Sequence, residues 1–354
     1  MARTLKNRFE SRFLLRFIES PSLFVSCFTN SRSLQTLAYE EVRSSGDRKS
    51  ESTALILHGL LGSGRNWRSF SRSLASSLSV SSASDWKMVL VDLRNHGRSA
   101  EVEGLNPPHD LVNSAKDLAD LVKASGWKWP EVVIGHSLGG KVALQFMESC
   151  ARGDFGESAS PPKQNDDDDL TIAKLVWCSL FDAEQLWVLD SVPGEVKAEK
   201  SDGEVEKVLK TLQSLPSPIP SRKWLVDHMV ELGFSRSLSE WIGSNLKRSG
   251  DSEIWAFNLD GAVQMFNSYR ETSYWSLLEN PPKDTEINFV IAEKSDRWDN
   301  DTTKRLETIA NQRQNVSEGK VATHLLRNSG HWVHTDNPKG LLDIVSPNFF
   351  SPHK

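Results

Sequence analysis

Apolar residues along this chain fall into two alternating patterns. Short, largely apolar runs occur at 54–57, 88–91, 132–134, 186–189, 287–291 and 321–326. Between them lie stretches at 66–78, 110–124, 301–313 and 338–345 in which apolar residues recur at helical spacing. A strand that is apolar without alternation is covered on both faces, and strands that alternate with helices build a mainly parallel sheet. The expectation is therefore an α/β fold with helices on both faces of the sheet. A further strand at 37–42 precedes the first run. One block breaks the rhythm. From 194 to about 283 the pattern is helical throughout, with Val205, Val208, Leu209 and Leu212 on one face and similar faces at 224–232 and 238–246. No strand-length run interrupts it. A helical block between two strands of such a sheet is expected to be a cap that roofs a site and excludes water. The division that follows is a core at 37–193, a cap at 194–283 and the rest of the core at 284–354. Trp241, Trp255, Phe257, Phe266 and Trp275 are expected in the cap's own core, some of them also lining the pocket.

Two segments stand outside this pattern. Residues 1–36 carry Arg3, Lys6, Arg8, Arg12, Arg16 and Arg32 against only Glu10 and Glu19, and serine is frequent. Arg8, Arg12 and Arg16 repeat every four residues, as do Phe9, Phe13 and Phe17, so a helix here would show a basic stripe beside an aromatic one. This is the composition of an organellar transit peptide, with a mitochondrial destination favoured over a chloroplast one. From Ala151 the composition changes again. Pro161, Pro162, Asn165 and the acidic run Asp166 to Asp169 cannot form core, and 151–185 reads as a surface insertion. The acidic run lacks the spaced ligands and turn glycine of a calcium loop. The apolar run at 172–180 has no assigned place, because only one strand is expected before the cap and 186–189 supplies it.

Composition adds mainly exclusions. The 354 residues suffice for one large α/β domain or two small ones, and 25% charged with 38% hydrophobic residues is ordinary for a globular chain. A net charge of -5 gives no reason to expect nucleic acid or an anionic membrane surface as a partner. The three cysteines, Cys27, Cys150 and Cys178, form neither a disulfide framework nor a zinc site. No apolar run approaches the ~20 residues of a membrane span.

The chemistry concentrates at Gly135-His136-Ser137-Leu138-Gly139-Gly140, directly after the run at 132–134 and before a helical segment. A G-x-S-x-G sequence at a strand-to-helix junction is a nucleophile elbow. The chain must reverse sharply there, so a Cβ at Gly135 or Gly139 would collide across the turn. Ser137 is then exposed at the carboxyl edge of the sheet. The N–H of Leu138 lies at a helix N-terminus, where donors are unpaired and negative charge is favoured. The second donor of an oxyanion hole is expected upstream, at His58-Gly59-Leu60-Leu61-Gly62-Ser63, from the N–H of Leu60. Asp92 and His96, in the loop after 88–91, come too early in the chain to serve a serine placed at 137, and read as residues that shape their loop.

A serine hydroxyl needs a base, and the base needs an orienting carboxylate. His331 follows the final strand, in Gly330-His331-Trp332, where this architecture supplies the base; His334 ranks below it. The acid stays open. Asp190 ends the strand before the cap. Asp296 lies just past the strand after it, one step late, since the position three beyond Ala292 is Ser295. Asp260, in Asn258-Leu259-Asp260-Gly261, ranks third.

Taken with Asp92-Leu93-Arg94-Asn95-His96-Gly97-Arg98-Ser99 and Leu189-Asp190-Ser191-Val192-Pro193, these motifs resemble the alpha/beta-hydrolase superfamily. Within it they are similar to the group of abhydrolase domain-containing protein 11 and its short bacterial esterase relatives. The likeness runs in order from about 37 to 350; the insertion departs from it. It implies a serine esterase or thioesterase, often mitochondrial, with the family's serine and histidine at Ser137 and His331. Members differ over the acid, so the choice between Asp190 and Asp296 stays open. The expected reaction is cleavage of a small ester or acyl thioester through an acyl-enzyme, without a cofactor or metal. The same fold also carries small-molecule receptors, lyases and acyltransferases.

Overall fold

The computed structural model describes residues 36–44, 52–81, 85–156, 184–196, 203–312 and 319–350. The expected transit segment, apart from its last residue, lies outside the described residues. So do the greater part of the 151–185 insertion and the unassigned run at 172–180.

Seven strands form one sheet: β1 (Tyr39–Arg43), β2 (Ser52–Leu57), β3 (Trp86–Val91), β4 (Val132–His136), β5 (Gln185–Leu189), β8 (Glu286–Ala292) and β9 (Lys320–Leu326). Their spatial order is β1-β3-β2-β4-β5-β8-β9. Only β1 runs antiparallel, against β3; the remaining pairs are parallel. The period-two geometry of a strand divides each apolar run between two cores. In β2, Leu55 and Leu57 face the layer of α2 (Leu111–Ala124) and α3 (Leu138–Arg152). Ala54 and Ile56 face the opposite layer, built by α1 (Arg68–Ser81) and the late helix α10 (Pro338–Val345). Both faces are covered, which explains why these strands lack alternation. Helix α9 (Asn300–Asn311) adds Leu306 and Ile309 to the first layer.

Strand order reverses between β2 and β4, its inner neighbour on the other side from β3. In an open α/β sheet such a switch point leaves a crevice beyond the carboxyl ends of the strands. Leu57 lies opposite Gly135 in that register, so the loops after β2 and β4 meet there.

The cap covers this crevice. It comprises α4 (Gly203–Ser214), α5 (Arg222–Glu231), α6 (Arg236–Gly243), α7 (Leu259–Glu271) and α8 (Trp275–Glu279). It also contains an antiparallel hairpin, β6 (Leu246–Ser249) with β7 (Ser252–Trp255), where the sequence pattern predicts only helix. The hairpin turns at Gly250, whose φ is 61°. Its four-residue strands are half polar and carry no apolar run; the glycine between them was the available signal. A second difference concerns the insertion. Helix α3 continues to Arg152 and closes on Gly153 in the left-handed region, and Gln185 already belongs to β5. Among the described residues, no helix is long and apolar enough to cross a membrane.

Candidate active site

Strand β4 delivers its chain into the elbow, and the elbow leaves no room for side chains. A Cβ on Gly135 would stand 2.1 Å from the Gly139 carbonyl oxygen, and one on Gly139 would stand 2.6 Å from that of His58. Ser137 between them has φ 53° and ψ -119°, a backbone region costly for a residue with a side chain. Its N–H donates to the Leu189 carbonyl at 3.0 Å, which ties the elbow to β5. Strain of this kind persists where the surroundings over-determine it, and here the side chain is turned into a cavity.

His331 lines that same cavity. Its Nδ1 lies 2.7 Å from Oδ2 of Asp190, which is fully buried. Asp190 sits at the end of β5 with φ 45° and accepts three further hydrogen bonds. Oδ1 receives the Ala292 N–H at 3.2 Å and the Trp298 indole N–H at 2.8 Å; Oδ2 receives the Ser295 hydroxyl at 2.7 Å. The loop after β8 thus supplies supports for a carboxylate rather than the carboxylate itself. Asp296 is exposed, because the turn closed by Ser295 N–H on Ala292 carbonyl points Ser295 inward and its successor outward. Asp260 is exposed on the first turn of α7 and is not among the residues lining the cavity. Of the three acids left open by the sequence, Asp190 is the one hydrogen-bonded to the histidine at 2.7 Å.

The loop after β2 presents Leu60. The carbonyl of Gly59 is held by Nδ1 of His58 at 2.7 Å and by the Gly62 N–H at 3.0 Å. A trans peptide is planar, so fixing the Gly59 carbonyl aims the Leu60 N–H in the opposite direction. Leu60 and Leu138 both line the cavity beside Ser137. Neither N–H is engaged by another group among the described residues.

Histidines that sequence reasoning passed over or set aside hold this frame. His58 Nε2 accepts the Leu93 N–H at 3.0 Å, so the ring proton sits on Nδ1 and donates to Gly59. His96 returns the arrangement: its Nε2 accepts the Leu61 N–H at 3.0 Å while Nδ1 donates to the Arg94 carbonyl at 2.8 Å. The loops after β2 and β3 are thereby cross-braced by two neutral imidazoles in edge contact, 5.2 Å between centroids. Leu61 is held at φ 57° by this brace. Burial pushes the His58 imidazole below its usual range and, with the neighbouring His58 charge opposing a second proton, pushes His96 down to about 3. Asp92 shapes the same loop through the N–H groups of Gly64 and Arg98.

His136, the residue before Ser137, donates Nε2–H to the His331 carbonyl at 2.7 Å. Burial, and then the adjacent His331 and His334, hold it well below the usual imidazole range. His334 stacks on Trp67 at 4.3 Å and is pushed down to about 4, chiefly by burial. The G-H-S triplet was visible in the sequence; the bridge from His136 to the backbone of a residue 195 positions later was not.

The cavity holds about 160 Å³. One wall is the elbow and loop frame. The other belongs to the cap and is largely apolar, with Val205 and Val208 of α4, Leu238 and Trp241 of α6, and Phe266 and Tyr269 of α7, beside the acidic Glu204. Of the five cap aromatics expected, Trp241 and Phe266 reach the cavity; Trp255 stacks on Phe257 at 5.0 Å within the cap. Among the described residues no cluster of side chains could hold a metal ion.

Comparison with known proteins agrees with this architecture. The chain is 22% identical over 295 residues to the mouse sn-1-specific diacylglycerol lipase ABHD11, covering 82% of this chain and 79% of that one. It is 24% identical over 311 residues to the zebrafish protein of the same name, covering 85% and 78%. Among solved structures, a marine microorganism esterase superposes with a TM-score of 0.62 at 20% identity, over 88% of this chain and 98% of the other, a likeness of fold. The model of the alpha/beta hydrolase family matches residues 54–344, and with the elbow, the parallel sheet and the cap in place the chain belongs to the alpha/beta hydrolase family.

Proposed function

We propose that this protein is a serine hydrolase that cleaves carboxylic esters or acyl thioesters through Ser137, His331 and Asp190. The observation that carries this reading is the buried Asp190 bonded to His331 Nδ1 at 2.7 Å, with His331 and a strained Ser137 lining one cavity. Asp190 accepts the Nδ1 proton, so that Nε2 carries the lone pair and acts as the base, and it stabilises the imidazolium formed when Ser137 gives up its proton. The Ser137 oxygen then bonds to the acyl carbon, and the carbonyl electrons move onto oxygen, where the N–H groups of Leu60 and Leu138 receive them. His331 returns the proton to the departing alcohol or thiol. A water molecule, deprotonated by the same imidazole, releases the acid and restores the serine. The acyl chain packs against the apolar cap wall, which excludes bulk water and strengthens the fixed dipoles. The relatives' description as diacylglycerol lipases supports an ester of a fatty acid as substrate.

Replacing Ser137 with Ala should abolish labelling by a fluorophosphonate probe and turnover of p-nitrophenyl esters. Undiminished labelling of that variant rejects the assignment. Tight ligand binding by the wild-type protein without turnover would favour a receptor on this fold.

A further inference from the structure

The side chain of Lys141 is completely buried, one helical turn after Ser137 on α3. Its position is unfavourable on two counts. An ammonium loses its hydration there, and it sits in the first turn of a helix, where the aligned peptide dipoles repel a cation. Burial pushes Lys141 down to about 7, with Glu195 opposing the shift. A group so costly is not explained by stability.

Its partners are specific. The three ammonium protons go to three backbone carbonyls, Gly194 at 2.7 Å, Tyr269 at 2.6 Å and Thr272 at 2.7 Å. Gly194 is where the chain leaves the core for the cap. Tyr269 and Thr272 lie at the end of α7, where the cap's return segment packs back onto the entry before α8 leads to β8. The two junctions also bond each other, Val196 N–H to the Arg270 carbonyl and Tyr274 N–H to the Pro193 carbonyl, both at 2.9 Å. Gln145, one turn further along α3, accepts the Tyr274 hydroxyl at 3.0 Å. Tyr269 and Phe266, on the segment of α7 that Lys141 grips, form part of the cavity wall.

We propose that Lys141 is a positioning residue that pins both cap junctions to the nucleophile helix and so sets the length of acyl chain that fits between Ser137 and α7. The proposal rests on the serine-hydrolase reading for its substrate and on the hydrogen bonds alone for the tether. The carbonyls are backbone groups, so the lysine is the one partner that mutation can remove. Lys141→Met keeps the volume and removes the donors; Lys141→Gln keeps two donors at shorter reach.

The test measures kcat and KM for p-nitrophenyl esters from acetate to decanoate, fluorophosphonate labelling, thermal midpoint, and amide exchange at Val196 and Tyr274. In a folded, labelled variant, exchange at those amides is expected to quicken, and kcat/KM for long esters relative to acetate to shift by about tenfold. That shift should appear in KM more than in kcat, and should be smaller for Lys141→Gln than for Lys141→Met. An unchanged chain-length profile with unchanged exchange overturns the proposal. Failure of both variants to fold overturns it too, since it would assign the lysine to the stability of the whole core. A wild-type protein that neither reacts with the probe nor cleaves esters would instead sink the hydrolase reading, while the exchange measurement would still decide the tether.

Discussion

The two walls of the cavity are built on different principles. On the core side, position is set by backbone geometry. Ser137, Asp190 and Leu61 are all held at positive φ, and the groups around them are fixed by hydrogen bonds to named N–H and carbonyl groups. On the cap side, position is set by packing of apolar faces, with Lys141 as the polar tie between them. The core wall therefore tolerates almost no change in shape, while the cap wall can change its lining and still close. A molecule built this way fixes its chemistry and leaves its substrate adjustable.

The contrast is tested most severely at the elbow. Ser137→Gly should lower kcat by about 10⁵-fold or more, since it removes the proposed nucleophile. It should also raise stability by about 1 kcal/mol, because glycine accepts the strained backbone. Calorimetry beside ester turnover checks both, and a variant less stable than wild type would contradict the strain.

Next comes the acid. Asp190→Asn should cost about 10⁴-fold in kcat by presenting His331 with the wrong hydrogen-bond partner. Asp296→Asn should stay within about twofold, as expected of an exposed side chain. Equal losses in the two would undo the assignment of roles to the loops after β5 and β8.

The oxyanion frame should respond less. His58→Ala frees the Gly59–Leu60 peptide, and a loss of about 10²-fold in kcat with little change in KM is expected, the size of one missing donor. A loss carried by KM instead would place His58 in substrate binding.

The braces also set a pH limit. His58 and His96 have folded-state values below the usual imidazole value of 6.5, the latter at about 3. The unfolded chain takes up these protons first. Their contribution is fully present above pH 6.5 and falls away below it, down to about pH 3 for His96, at up to about 1.4 kcal/mol per pH unit for each ring. Urea titrations between pH 7 and 4 measure the slope, and His96→Gln should flatten it.

The smallest effect belongs to the cap wall. Val208→Ala should raise KM for a long ester by about fivefold, the worth of roughly 1 kcal/mol of lost apolar contact, and leave acetate turnover unchanged. An equal effect on both substrates would mean that the cap acts on the chemistry rather than on the chain.

How far these features were legible differs between the same two walls. The elbow, the loop at Leu60 and the late histidine could be singled out as candidates because a tight turn admits few residues, and glycines spaced around a serine leave a local trace. The carboxylate could not be chosen, because Asp190 and Asp296 both follow strands that neighbour each other in the sheet, and the direction of the turn at Ser295 separates them. The cap hairpin escaped because its strands are short and amphipathic, and a period of two over four residues is hardly distinguishable from a helix edge.

The sequence alone determined the layered α/β core, and it singled out the elbow serine and the late histidine as candidates for nucleophile and base. Those depend on periodicity and on turns of a few residues, where neighbours in the chain are neighbours in space. Tertiary structure decided which aspartate meets His331, that His136 holds the backbone of His331, and that Lys141 joins both ends of the cap to one helix. Each of these contacts links residues more than fifty positions apart, and no local pattern records which distant carbonyl or imidazole the folded chain will bring within 3 Å.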